Sequence, residues 1–214
     1  MEQQLGLWES IVSILTLKLI YGLGAFAVFS FLLYLTRKNK LSSRIRIVVA
    51  SLLLFYYMSV TFLNVFGIPT LSELYRINGF KEQVFNPNIN LIPFREGLSL
   101  GFLFNIACFI PIGFLCPIIS RVYEKIKYAF LFGVSISLVI EISQLFTVNR
   151  ATDIDDLLAN SLGTVMGYVV FTLLSKRVRN KVTISFDENV ISSGMIPVLI
   201  VLLTFVITFL IKKS

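Results

Sequence analysis

Six apolar runs constrain this chain more than anything else in its sequence. They cover 11–35, 45–66, 98–119, 128–147, 157–174 and 194–211. About 20 apolar residues in a helix span the ~30 Å hydrocarbon core of a bilayer. Inside that core no water can satisfy backbone N–H and C=O groups, so each run must form a helix. The chain has 214 residues, 56% hydrophobic and 14% charged, where a soluble domain carries roughly 25% charged residues. The sequence therefore predicts one all-α, polytopic membrane helix bundle over residues 1–214, with about six transmembrane helices and a partly irregular outer loop. Five spans, with one terminal segment lying in the interface, is the alternative. Glu2 and Glu9 stand where a cleavable signal would carry Lys or Arg, so the first span is expected to be retained.

The net charge of +7 does not point to nucleic acid, because of where the charges lie. Basic residues gather in alternate short loops, the pattern that sets membrane topology. Arg37, Lys38, Lys40, Arg44 and Arg46 share one loop, Arg121, Lys125 and Lys127 a second, and Lys176, Arg177, Arg179 and Lys181 a third. The other side holds Arg76, Lys81, Arg95, Arg150, Lys212 and Lys213. The three basic loops are expected in the cytoplasm, in a multi-pass protein of the bacterial plasma membrane. The absence of His excludes His/Cys metal sites and Ser-His-Asp or Cys-His catalysis. Cys108 and Cys116 lie ~12 Å apart on one helix, too far for a disulfide.

Polar residues inside the spans collect near the outer ends. At ~100° per residue, Asp153, Asp156, Asn160, Gly163, Thr164 and Gly167 form one stripe. Gly163 and Gly167, four apart, permit a close helix approach. Thr152 and Asp155 fit a T-x-x-D capping box, which gives Asp155 a structural role. Ser137, Glu141 and Gln144 share a face of the preceding span. Asn105 stands in the span before that, with Arg95 at its mouth. Counted from the outer ends, Asn105, Glu141 and Asn160 are expected at one depth. A carboxyl group inside a span costs ~2.5–3.5 kcal/mol on insertion scales and marks a functional candidate. Arg150 is expected to pair with Asp153, Asp156 or Glu141, since an acidic cluster at a partly dehydrated helix end needs a cation.

The long outer loop, 67–97, carries a second T-x-x-E box, Thr70 to Glu73, heading a short amphipathic helix over 71–77 with Leu74 and Ile77 inward. "NPNINLIPF" is irregular, since Pro87 and Pro93 forbid helix through it. It is expected to fold over the mouth of the helix cluster.

"NLIPF" (90–94), "FNIACFIPIGFLCP" (104–117), "IEISQLF" (140–146) and "RATDIDDLLANSLGTVMGY" (150–168), in that order, resemble the VanZ family. The resemblance covers roughly 85–175, leaving 11–66 and 194–211 as additional spans. It implies as family positions Asn90, Pro93, Phe94, Asn105, Pro111, Gly113, Glu141, Gln144, Arg150, Asp153, Asp156, Asn160, Gly163 and Gly167. Pro93, Pro111, Gly113, Asp155, Gly163 and Gly167 are read as structural. The family takes its name from a protein associated with teicoplanin resistance, so the resemblance also implies a place in the cell envelope and in antibiotic resistance.

Four functions compete. In the first, the protein binds a lipid head group, a lipid-linked cell-wall precursor or a lipoglycopeptide from outside. Arg95 and Arg150 would grip phosphate or carboxylate, with Asn90, Asn105, Glu141, Gln144, Asp153, Asp156 and Asn160 completing the site. In the second, it is an enzyme on a lipid-linked substrate. Glu141 would be the base, and Asp153 and Asp156 could hold a divalent cation. The third is a transporter or lipid scramblase, for which the polar stripe would have to continue inward past Thr164. The fourth is a purely structural polar network. No cofactor is required by the first, and the sequence leaves the oligomeric state open.

Overall fold

The computed structural model describes residues 43–79, 85, 89–95, 97, 99–147, 152–179 and 190–210. The first apolar run, 11–35, lies outside the described residues. The others are all helical: α1 (Ser43–Asn64), α3 (Leu100–Ile119), α4 (Ile126–Gln144), α5 (Ile154–Arg179) and α6 (Val190–Leu210). A short α2 (Leu71–Gly79) follows α1, and a 3-10 turn, Arg121–Glu124, joins α3 to α4. Two-residue strands, β1 (Ile89–Asn90) and β2 (Thr152–Asp153), complete the described residues. Four helices are long and apolar enough to cross a membrane, and α6 contributes a shorter apolar stretch, Gly194–Leu210. The fold is an all-α membrane bundle.

Local chemistry sets the boundaries. Ser99 caps α3 by accepting the Phe102 N–H at 3.0 Å. Ser120 ends that helix and caps the 3-10 turn by accepting the Val122 N–H at 3.3 Å. Thr70 and Glu73 form the expected capping box. The Thr70 N–H donates to Glu73 Oε2 at 2.9 Å and the Glu73 N–H to Thr70 Oγ1 at 3.3 Å. Ile77 of α2 is buried and Leu74 half-buried, as the amphipathic pattern predicts. Pro111 stands inside α3 and leaves the Ala107 carbonyl without its helical N–H. At the next carbonyl, Cys108, the Tyr57 hydroxyl of α1 donates at 2.7 Å.

The helices α3 and α5 run parallel and in register. A Cβ built on Gly163 would collide with the Ile106 carbonyl, and one on Gly167 with the Ile110 carbonyl. The spacing of four is thus matched by four on the partner helix. Only glycine lets the two backbones come this close. Gly113 of α3 and Gly133 of α4 both close on Thr164 of α5, so three helices meet at that residue. Thr164 satisfies its hydroxyl on the Asn160 carbonyl at 3.0 Å. The helix α4 is antiparallel to α5, with Gly133 against Thr164 and Ser137 against Asn160.

On the other flank, Phe62 and Phe66 of α1 reach Phe205 of α6 and Phe109 of α3 with edge-on rings. Where α1 and α6 meet, Thr61 and Thr204 are buried and bond back to carbonyls of their own helices. Outward faces carry Leu52, Leu138, Leu162, Met166, Leu173, Leu202 and Val206, all exposed. Such a belt suits lipid and would be a liability in water.

The strands pair in parallel, Ile89 with Thr152 and Asn90 with Asp153. Parallel strands need a long crossover, and α3 and α4 provide it. Both strands therefore sit where α3 and α5 begin and α4 ends. Residues 89–95 close over this strand-pair end.

Candidate functional site

Glu141, on the last turns of α4, is 4% exposed and is held by β2 through both main chain and side chain. Its Oε2 accepts the Asp153 N–H at 3.0 Å, and its carbonyl accepts the Thr152 hydroxyl at 3.0 Å. The strand fixes the acid, and the acid fixes where α5 begins.

Asp153 is the residue before α5, and it is the cap. Its Oδ1 accepts the Asp155 N–H at 2.9 Å, and its Oδ2 accepts the Asn90 amide at 3.2 Å. This corrects the expected capping box. Thr152 spends its hydroxyl on α4, and Asp155 turns outward. Both Asp155 oxygens receive the Phe94 N–H, at 2.9 and 3.0 Å. Phe94 has φ +55°, a left-handed backbone that costs a non-glycine residue roughly 1–2 kcal/mol. The Asp155 carboxylate and the Phe94–Phe102 ring contact at 5.6 Å offset that cost. Asn90 braces the same loop by accepting the Ile92 N–H at 3.3 Å.

Asn160 is 1% exposed and donates to Ser137 Oγ at 2.9 Å. Gln144 is 4% exposed and donates to the Phe66 carbonyl at 2.8 Å. Each amide keeps a buried oxygen with no hydrogen-bond partner, Asn160 Oδ1 and Gln144 Oε1. Asn105 is half-exposed, and no hydrogen bond to its side chain is present among the described residues.

The expected single level of Asn105, Glu141 and Asn160 divides in two. Glu141 meets the strands, whereas Asn160 meets Ser137, four residues earlier on α4 and so ~6 Å further along the helix. Counting from helix ends missed this because β2 hangs from Glu141 before α5 begins. Asp156 lies half-exposed in the first turn of α5. Arg95 is exposed at the loop and has no ion pair among the described residues. Asn149 and Arg150 lie outside the described residues. No three acids or thiols among those described are grouped to hold a metal, and each oxygen of Asp153 already takes an N–H donor.

Thr152 as the partner of Glu141, and the Phe66 carbonyl as that of Gln144, were not anticipated. A hydroxyl beside two acids was the available signal for the first. Nothing local in the sequence announces the second.

A search of curated proteins and one of solved structures give no match to this chain. The VanZ/LLP1 family model matches residues 47–175. That range takes in α1 and every side chain of the strand-pair end just described. It covers more than half of the chain, and the protein, a membrane protein by its apolar helices, belongs to the VanZ/LLP1 family.

Proposed function

We propose that the protein binds, at its strand-pair end, the head group of a lipid or of a lipid-linked cell-wall precursor. We place that end on the outer face of the bacterial plasma membrane, by the distribution of basic loops, and infer a contribution to teicoplanin-type resistance. The observation that carries the reading is the loop over 91–95. Leu91 and Ile92 are 69% and 60% exposed, and exposed Phe94 and Arg95 follow them. Apolar side chains presented beside a guanidinium suit the boundary between acyl chains and phosphates. Asp155 and Asn90 anchor this loop directly to the buried polar residues, so a head group held by Arg95 is at the mouth of the site.

The acids in this reading are framework. Glu141, Asp153 and Asp155 are spent on backbone N–H groups, which leaves the amides to meet a ligand. A route through the bundle is disfavoured, since Thr164 is closed in by Gly113 and Gly133 just below Asn160.

The test is retention of anionic lipid by the purified protein in phosphatidylcholine vesicles, alongside teicoplanin susceptibility of cells expressing it. Wild type should retain the anionic lipid and reduce susceptibility. Arg95→Ala should lose both while keeping its thermal stability. Equal retention by the two proteins would remove Arg95 from the site, and no retention by wild type would refute the reading.

A further inference from the structure

We infer that the buried part of this site is a pocket of three amides that takes a hydroxyl-bearing, uncharged portion of the ligand. The inference rests on the head-group reading above and adds which chemistry points inward.

Phe109 ties the three amides together. Its ring lies on Phe66 at 5.6 Å, the residue whose carbonyl holds Gln144. Its Cβ lies where a side chain on Gly163 would be, one turn after Asn160. Asn105 precedes it by one turn on the same face of α3. Asn105, Gln144 and Asn160 therefore border one fully buried phenylalanine from three helices, between the Asn160–Ser137 bond and the strand pair.

Two of the three present oxygens that nothing satisfies, Gln144 Oε1 and Asn160 Oδ1. Buried polar atoms in native proteins are nearly always bonded, to protein or to something bound. These are acceptors, so the missing group is a donor. Asn105 has both its amide nitrogen and its oxygen uncommitted among the described residues. A hydroxyl donates and accepts, and so matches all three amides. An ammonium only donates and would leave the Asn105 N–H groups unmatched. A phosphate only accepts and would face the two orphaned oxygens with its own. The ligand thus enters with its phosphate toward Arg95 and its hydroxyls inward. Such hydroxyls come from the glycerol head of a phospholipid or from the sugar of a lipid-linked precursor.

The experiment compares lipids that differ in those hydroxyls alone. The protein is embedded in phosphatidylcholine nanodiscs, and retained lipid is counted by mass spectrometry. One arm sets phosphatidylglycerol against phosphatidic acid, the other a polyprenyl phosphosugar against the bare polyprenyl phosphate. Wild type should prefer the hydroxyl-bearing member by about tenfold in at least one arm, as two recovered hydrogen bonds would give. The arm that shows the preference names the source. Asn105→Leu should lose the preference without a change in melting temperature, since that side chain makes no hydrogen bond to give up. Asn160→Leu should lose it too, with some loss of stability from the Ser137 bond. If wild type retains both members of each pair equally, the pocket reading is wrong while head-group binding stands. If Asn105→Leu keeps the full preference, the pocket reading is also wrong. If neither member of either pair is retained above phosphatidylcholine, head-group binding itself fails, and internal water is left as the partner of the amide oxygens.

Discussion

Glu141 Oε2 accepts the backbone N–H of Asp153 at 3.0 Å, so the acid inside α4 is the fixed point from which α5 starts. A carboxylate on a backbone N–H is a strong hydrogen bond, and removing it leaves a donor stranded. Glu141→Ala should therefore destabilise the protein by about 1–3 kcal/mol. Glu141→Gln keeps an acceptor for the same N–H and should cost less. Thermal unfolding in a mild detergent orders the two variants, and a glutamine variant no more stable than the alanine one would remove this role.

Asp153 and Asp155 divide capping and loop-holding between them. Asp153→Ala removes both the cap of α5 and the Asn90 contact, and should cost about 1–2 kcal/mol. Asp155→Ala leaves the cap intact and releases Phe94, so its effect should appear first as faster amide exchange over 91–97. Hydrogen exchange with thermal unfolding separates them. A larger stability loss for Asp155→Ala would restore the capping-box assignment.

Glycine at the α3–α5 contact is required by backbone atoms rather than by flexible side chains. Gly163→Ala and Gly167→Ala would each push a methyl onto a carbonyl and should destabilise by about 1–3 kcal/mol. Gly101→Ala meets only Ser99 Oγ, at 3.4 Å. It should be neutral or stabilising, because alanine is the better helix former. Unfolding of the three variants checks the contrast, and equal effects would mean that the two helices do not pack in this register.

The parts legible in the sequence were those encoded locally. Apolar runs gave α1 and α3 to α6 within a few residues, and Thr70 with Glu73 gave the start of α2. The glycine pair at 163 and 167 gave a close helix contact. At 152–155, two capping patterns overlap by one residue. The choice of Asp153 over Thr152 depends on Glu141, which drew the threonine hydroxyl away. The strand pair was hidden for another reason. Two residues carry no periodicity, and Asn90 and Asp153 are 63 positions apart. The Gln144 bond to the Phe66 carbonyl spans 78 positions and uses a backbone atom that no side-chain pattern reveals.

The basic loops predict that the strand-pair end faces outward. In a background lacking Cys108 and Cys116, Tyr75→Cys on α2 should react with an impermeant thiol reagent in intact cells. Lys127→Cys at the start of α4 should react only after the membrane is opened. The reverse pattern would invert the topology and place the site in the cytoplasm.

The most direct test of the central claim is photolabelling with an anionic lipid that carries its reactive group on the head. Adducts mapped by peptide mass spectrometry should concentrate on 91–105 and on 141–144, and should fall away in Arg95→Ala. Adducts spread evenly over the exposed ends of α1, α4 and α6, and unchanged by Arg95→Ala, would contradict a head-group site at the strand-pair end.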